Sequence, residues 1–352
     1  MKIALIHIRF IYKGGLETRL FNYIDYFHAR GHEVHVYTSR VDPEIAAVTP
    51  ALLHLVDVSS IPKPLRNYFF NRRLGRMIAR DRYDFILSLE RTSHQRHVIA
   101  PSTHRGYLEA RGSRVPDPID LVQIHMDRIA FERSEVIYAC SSMVRDEIVR
   151  FHGIDPAKIT VLPPPTDPGR FDRRVSRQEA RRRLGLDPDA VFILFVSTSH
   201  RRKGLPLLRS AMRLIAHRRP EVRLLVAGTD AEDEGPIRFL GFVRDMAVLY
   251  RAADLTVHPA IYEPYGQIVS ESLFCGTPVV VSDRTGAKDF VGADEGLVVS
   301  GRDPAVWADA MLRALASDAR IPEDFATRHG LTLDQHMDAM HAASGLPQPR
   351  TG

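Results

Sequence analysis

The sequence predicts an α/β protein built as two Rossmann-like, doubly wound lobes facing a central cleft. Three observations lead there. Short β-rich runs alternate with helical patterns along the chain, which is the pattern of parallel α/β units. A proline-rich stretch, VLPPPTDPGRF at 161–171, separates those runs into an earlier and a later set and is the natural hinge. The chain has 352 residues, too many for one ordinary core and enough for about two domains.

The runs of the first set are Lys2–Ile8, Glu33–Thr38, Phe85–Leu89 and Val136–Ala139; those of the second are Val191–Val196, Arg223–Ala227, Leu255–Val257 and Pro278–Val281. The opening MKIALIHIRFIYKGG has a lysine before an apolar run, as a signal peptide does. It alternates like a strand, however, and lacks a small-residue cleavage site, so it reads as the first strand of a cytoplasmic protein. A basic helix over Arg177–Leu184 opens the second lobe, and LTLDQHMDAMHAA from Leu331 has the pattern of a terminal helix able to return to the first. The expected boundaries are therefore 1–165, with 330–352 as a return segment, and 166–329.

Hydrophobic residues make up 44% and charged residues 26%, and no run of 18 or more apolar residues offers a membrane span. The formal net charge of +5 suits an anionic partner, whether nucleic acid, an acidic membrane surface or a phosphorylated substrate. With no RNP motif, zinc finger or basic zipper in view, nucleic acid is not expected. Two cysteines, Cys140 and Cys275, support neither a disulfide framework nor a cysteine metal site and fit a reducing compartment. Asp187-Pro188-Asp189 spells D-x-D but reads as a proline turn, and Asp230, Glu232, Asp233 and Glu234 read as a solvated loop. No metal or other cofactor is expected.

Three stretches carry candidate chemistry. In YEPYGQIVSESLFCGTPVVVSD from Tyr262, Pro264 keeps Glu263 out of the helix and Gly266 lets the backbone approach a ligand. Glu271 then lies about one turn inside a helix whose free N–H groups suit an anion such as diphosphate. A carboxylate there can accept both hydroxyls of a ribose diol; two solvated glutamates are the plain alternative. In STSHRRKGLPLLRSAM, His200, Arg201, Arg202, Lys203 and Gly204 lie between a strand and an amphipathic helix. Fixed cations there can neutralise a leaving diphosphate without a metal, although a solvated basic turn has the same look. In IRFIYKGGLETRLF, Gly14 and Gly15 follow a strand and open a helix, but this is not the G-x-G-x-x-G of a dinucleotide dehydrogenase.

Together these stretches resemble the retaining, family 4 glycosyltransferases of GT-B fold. The resemblance rests on KGGLE, HRRKG, FLGFVRDMAVLYRAADLTVHPAIYEPYGQIVSES with its E-x7-E pair, and CGTPVVVSDRTGAKDFV. STSHRRKG, THRGYLEARG and ACSSMVRDEIVRFHGIDPAKITVLPPPTD look most like bacterial lipopolysaccharide-core glucosyltransferases that act on heptose. The resemblance implies an N-terminal acceptor-side lobe and a C-terminal lobe that binds a nucleotide-sugar donor, with UDP-glucose the expected donor and a glycan or glycolipid the acceptor. It implies that Glu271 holds the ribose, that Glu263 contacts the sugar hydroxyls, and that Lys203 with Arg201 or Arg202 holds the diphosphate. Gly266 and Gln267 would offer backbone N–H groups, Phe242 and Val243 would lie at the base, and Gly15 would face the donor from the first lobe. Catalytic roles fall to Glu263, Lys203 and His104, the last as a hydrogen-bonding partner of the sugar or acceptor. Its neighbours His94, His97 and His125 read as surface histidines.

The chain departs from relatives in two places: Ser197 and Thr198 stand where many read G-R-L, and Pro164, Pro165, Thr166 and Asp167 stand where many read N-G-V-D. A nucleotide-sugar epimerase, or a non-catalytic nucleotide-sugar binder, is the rival reading. Finally, LRNYFFNRRLGRMIARDRYD from Leu65 interleaves Phe69, Phe70, Leu74, Met77 and Ile78 with Arg66, Arg72, Arg73, Arg76 and Arg80. Such a basic amphipathic helix suits a peripheral contact with an anionic membrane at its cytoplasmic face, or simple packing with its basic face in water.

Overall fold

The structure is a computed structural model that describes residues 1–345 apart from Lys13, Arg114, Pro168, Asp172 and Ala319. The end of the expected return segment, 346–352, and Pro168 of the hinge lie outside the described residues. The chain divides into two compact units, Met1–Pro164 with His336 onward, and Pro165–Gln335.

The first unit carries a seven-stranded sheet in the order Leu52–Leu55, Glu33–Thr38, Lys2–Ile6, Phe85–Ser88, His97–Ala100, Val136–Ala139, Ile159–Val161. Every pairing is parallel. Parallel strands covered on both faces need continuous apolar runs, and Ile3, Ala4, Leu5 and Ile6 are all fully buried. The helix Leu333–Ser344 joins this unit from His336 onward. His336 donates from Nδ1 to the Pro163 carbonyl at 2.8 Å, so its Nε2 is the acceptor for the Tyr23 hydroxyl, also at 2.8 Å. Burial, reinforced by the nearby Arg19 charge, holds this imidazole neutral with a pKa of about 3.

The second unit carries a six-stranded parallel sheet in the order Ile237–Gly241, Val222–Ala227, Val191–Val196, Leu255–His258, Val279–Ser282, Gly296–Val299. Its core gathers Phe195, Leu208 and Val257 around Trp307.

Several strands escape the sequence pattern: Leu52–Leu55, His97–Ala100, Ile159–Val161, Ile237–Gly241 and Gly296–Val299. They are short, and several sit on an edge or include Arg, His or Gly, so the apolar signal is diluted. His97, expected on a surface, is instead a buried strand residue at 5% exposure. It packs on Phe85 with centroids 4.5 Å apart, and burial lowers its pKa to about 4.

The basic segment forms a helix over Arg66–Ile78. Phe70, Leu74 and Ile78 join the core with Tyr37, Val56 and Val58, while Arg72, Arg76 and Arg80 are exposed. Its apolar face is thus committed inward, and the outer face is cationic. Asp187 accepts from the Asp189 N–H at 2.9 Å, the side-chain bond of an Asx turn. Among the described residues no helix is long and apolar enough to cross a membrane, and no group of three or more His, Cys, Asp or Glu could hold a metal ion.

Candidate active site

In the second sheet the strand order reverses between Val191–Val196 and Leu255–His258, which pair in parallel through Ile193 and Leu255. Ligands of doubly wound sheets bind beyond the carboxyl ends of the strands at such a switch point. Lys203 follows the first of these strands and Glu263 the second.

The loop after Val196 makes one helical turn, His200–Lys203, that ends at Gly204. Gly204 has a φ of 98°, and a Cβ there would lie 2.3 Å from the Pro259 carbonyl oxygen. Only glycine lets the two loops press together here. The Ile261 N–H donates to the Arg202 carbonyl at 3.0 Å and fastens them. Glu263 is fixed from the other side: its N–H donates to the Arg284 carbonyl at 2.9 Å, and its own carbonyl accepts from Gly286 at 2.8 Å.

The side chains then converge. Lys203 Nζ donates to Glu263 Oε2. Arg202 lies 3.6 Å from the same oxygen and donates to the Tyr262 carbonyl at 3.2 Å. His258, fully buried, places Nε2 3.7 Å from it. Burial alone would raise the Glu263 pKa, but His258 and the Lys203 ammonium outweigh it and hold the carboxyl at about 2. Burial also keeps His258 below its ordinary value, so at neutral pH the lysine is the principal counter-charge. Glu263 is therefore an acceptor of hydrogen bonds and not an acid.

Gly266 precedes the helix Gln267–Phe274 with a φ of 95°. A Cβ on it would stand 3.0 Å from Thr285 Cγ2 and 3.2 Å from Glu263 Cγ, so glycine keeps the Glu263 turn close to this helix. Glu271, on that helix, accepts from the Tyr250 hydroxyl at 2.8 Å. Its pKa is raised by burial, a rise that the Tyr250 hydrogen bond and the Arg170 charge limit. Of the remaining candidates in this unit, Arg201 is exposed and Gln267 half-buried. Phe242, in the loop after Ile237–Gly241, is 84% exposed beside half-buried Val243.

The other two candidates belong to the first unit. Gly15 is exposed and opens the helix Gly15–Ala29. His104 opens the helix His104–Ala110, whose cap Thr103 accepts from Gly106 at 3.0 Å. The His104 N–H donates to Asp127 at 2.6 Å, and its ring Nε2 meets Asp120 Oδ1 at 2.7 Å. The first sheet also reverses order, between Lys2–Ile6 and Phe85–Ser88. There His7, 1% exposed, sits 2.9 Å from Glu90 and 3.8 Å from Glu17. Burial would lower its pKa, but the two glutamates raise it to about 9.

His7, Glu17, Glu90, Asp120, Tyr250 and His258 escaped the sequence reading. For His7, Glu90 and His258 a signal exists: each ends a β-run or follows one closely, where ligands of such sheets bind. Tyr250 offers none, since it continues the apolar face of a helix.

Comparison with known proteins bears on the fold and the family. Residues 13–170 match the model for Glycosyltransferase Family 4, and residues 176–328 match that for Glycosyl transferases group 1. A probable transglycosylase of Burkholderia thailandensis is 34% identical over 311 residues, covering 86% of this chain and 84% of the relative. A D-inositol 3-phosphate glycosyltransferase of Actinosynnema mirum is 30% identical, covering 79% of this chain and 71% of the relative. WaaG, a glycosyltransferase involved in lipopolysaccharide biosynthesis, superposes with a TM-score of 0.78 at 20% identity, over 98% of this chain and 100% of that one. HepE of Anabaena, solved in complex with UDP-glucose, has a TM-score of 0.72 at 16% identity, over 98% and 100% of the two chains. Two parallel-sheet lobes, both halves matched, and relatives covered over most of their length lead to one conclusion: the chain belongs to the group 1, family 4 glycosyltransferases of GT-B fold.

Proposed function

We propose that the protein transfers a hexose, glucose in the first instance, from a UDP-sugar to a hydroxyl of a glycan or lipopolysaccharide-core acceptor, with retention at the anomeric carbon and without a metal. The convergence of Lys203, Arg202 and Glu263 at the switch point of the second sheet carries this reading. An ammonium has three donors, so Lys203 can hold Glu263 with one and phosphate oxygens with the others. Arg202 adds a second fixed cation, with Arg201 beside it in sequence.

In the reaction the bond from the anomeric carbon to the β-phosphate oxygen breaks, and its electron pair goes to the diphosphate. The acceptor oxygen bonds to the same face of the sugar and yields its proton to the departing phosphate oxygen. Lys203 and Arg202 stabilise the charge that develops on the diphosphate. Glu263, ionised throughout the neutral range, accepts from the sugar hydroxyls and stabilises an oxocarbenium-like sugar. Glu271 takes the ribose diol, the Gly266 and Gln267 N–H groups donate to donor oxygens, and Phe242 and Val243 lie at the base. On the first lobe we assign Gly15 to the donor and His104, oriented by Asp120, to the sugar or acceptor. The cationic outer face of Arg66–Ile78 suits an anionic lipid surface carrying a glycolipid acceptor. The UDP-glucose complex of HepE supports the choice of donor.

A thermal-shift screen with UDP-glucose, UDP-galactose, UDP-N-acetylglucosamine and GDP-mannose tests the donor. UDP-glucose should shift the melting temperature most, and a preference for GDP-mannose would overturn the uridine reading. NMR of the product's anomeric proton tests retention, and transfer that stops on chelation would refute metal independence.

A further inference from the structure

Glu271 is addressed by a residue that the proposed reaction leaves without a role. Tyr250 lies on the helix Met246–Ala252 and is fully buried. Its ring packs against Phe171 with centroids 6.2 Å apart, and its carbonyl accepts from the Thr277 hydroxyl at 2.7 Å. That bond ties the helix to the turn that follows Gln267–Phe274. The Tyr250 hydroxyl is thus delivered to Glu271 Oε2 by a rigid mount.

The bond has two consequences. Tyr250 occupies one lone-pair direction of Oε2 and fixes the carboxylate plane, which leaves Oε1 and the remaining direction of Oε2 for other donors. Two free acceptors on one fixed plane match a vicinal diol better than a single hydroxyl. The hydroxyl also favours the ionised carboxylate in a setting where burial favours the neutral one. A protonated Glu271 would present a donor where the diol needs an acceptor.

We infer that Tyr250 is a positioning residue that sets the preference for a ribonucleotide over a deoxyribonucleotide donor, by holding Glu271 in the plane and charge state that receive both ribose hydroxyls. The inference rests on Glu271 being the ribose ligand. The charged groups that bear on Glu271 and Tyr250 are each other, Arg170 and the Cys275 thiol.

The test is a double-mutant cycle on the full chain, with Tyr250→Phe, Glu271→Ala and the pair, using UDP-glucose and 2′-deoxy-UDP-glucose as donors. Tyr250→Phe keeps the ring and removes only the hydroxyl. It should raise KM for UDP-glucose about tenfold, leave kcat within about twofold, and leave KM for the deoxy donor nearly unchanged. Its rise in KM should relax as the pH is raised, because ionisation of Glu271 is then restored. In the Glu271→Ala background the tyrosine change should add nothing. If Glu271→Ala abolishes the ribose preference while Tyr250→Phe retains it in full, the positioning role is wrong and the ribose site stands. If Glu271→Ala itself retains the preference, the ribose site and this inference fall together. If Tyr250→Phe lowers kcat for both donors equally, or still acts in the Glu271→Ala background, the effect is structural and the inference is overturned.

Discussion

The switch points of the two sheets are built from the same kinds of groups with the charges exchanged. In the first, a buried imidazole sits between two carboxylates, His7 with Glu90 and Glu17. In the second, a half-buried carboxylate sits between an ammonium and an imidazole, Glu263 with Lys203 and His258. Arg9 also lies 3.2 Å from Glu17, so the two carboxylates of the first site are balanced by His7 and Arg9 and no net charge is left over. A central anion with Lys203 and Arg202 leaves the second with a basic surplus, suited to a diphosphate. One topology thus carries two opposite charge arrangements through the residues placed just past the strand ends.

The largest expected effect breaks the second centre. Lys203→Ala removes the donor that counters Glu263 and, in the proposed mechanism, the diphosphate. Initial rates should show kcat/KM lowered roughly 100- to 1,000-fold, the scale of losing one preorganised charge-stabilising group. Glu263→Ala should fall at least about 100-fold, and a change within threefold for either variant would remove this pair from the mechanism.

A second, smaller effect separates the centres by pH. His7 has its folded pKa raised to about 9 from 6.5, so its contribution is complete below 6.5 and is lost as pH rises through 9. Glu263 has its folded pKa lowered to about 2 from 4.5, so its contribution is complete above 4.5 and is lost as pH falls toward 2. Each shift corresponds to roughly 3 kcal/mol at most. The alkaline loss should therefore be confined to the first unit, whereas acid should weaken both, because Glu17 and Glu90 beside His7 are also held below their ordinary values. Trp307, the single tryptophan, is buried in the second unit, and its fluorescence melt should report the acid loss. Hydrogen exchange of Lys2–Ile6 should report the alkaline loss, and His7→Gln should flatten it. An alkaline loss in the second unit as large as that in the first would contradict the comparison.

The smallest effect lies away from both centres. Arg72→Glu with Arg76→Glu should leave the melting midpoint nearly unchanged, since both side chains are exposed and such changes cost within about 0.5 kcal/mol. Co-sedimentation with phosphatidylglycerol vesicles should drop severalfold, and undiminished binding would remove this face from the membrane reading.

Most interior strands of both sheets were legible because burial on two faces forces unbroken apolar runs, as in Lys2–Ile6 and Val191–Val196; His97–Ala100, interior but opened by a histidine, was not. Edge strands were not: Leu52 and Leu55 are 53% and 59% exposed, and nothing compels an apolar pattern there. In the site, Glu263, Lys203 and Glu271 stood out by spacing and by the glycines around them. What the spacing could not show is that Lys203 and Glu263 grip one another, because that depends on two loops meeting after strands some sixty positions apart. Tyr250 was invisible for a different reason: a buried tyrosine in an apolar helix looks the same whether its hydroxyl is a bystander or a strut. His97 was misplaced because a lone histidine beside arginines resembles a surface residue until the strand it belongs to is known.

The second unit starts and finishes beside itself: the Thr166 N–H donates to the Leu331 carbonyl at 2.9 Å, and the chain then rejoins the first unit at His336. Topologically it is a cassette spliced into its host through a closed neck. In the proposed reading the portion from Pro165 to Gln335 holds the donor, so exchanging it for that of a relative should carry donor preference with it.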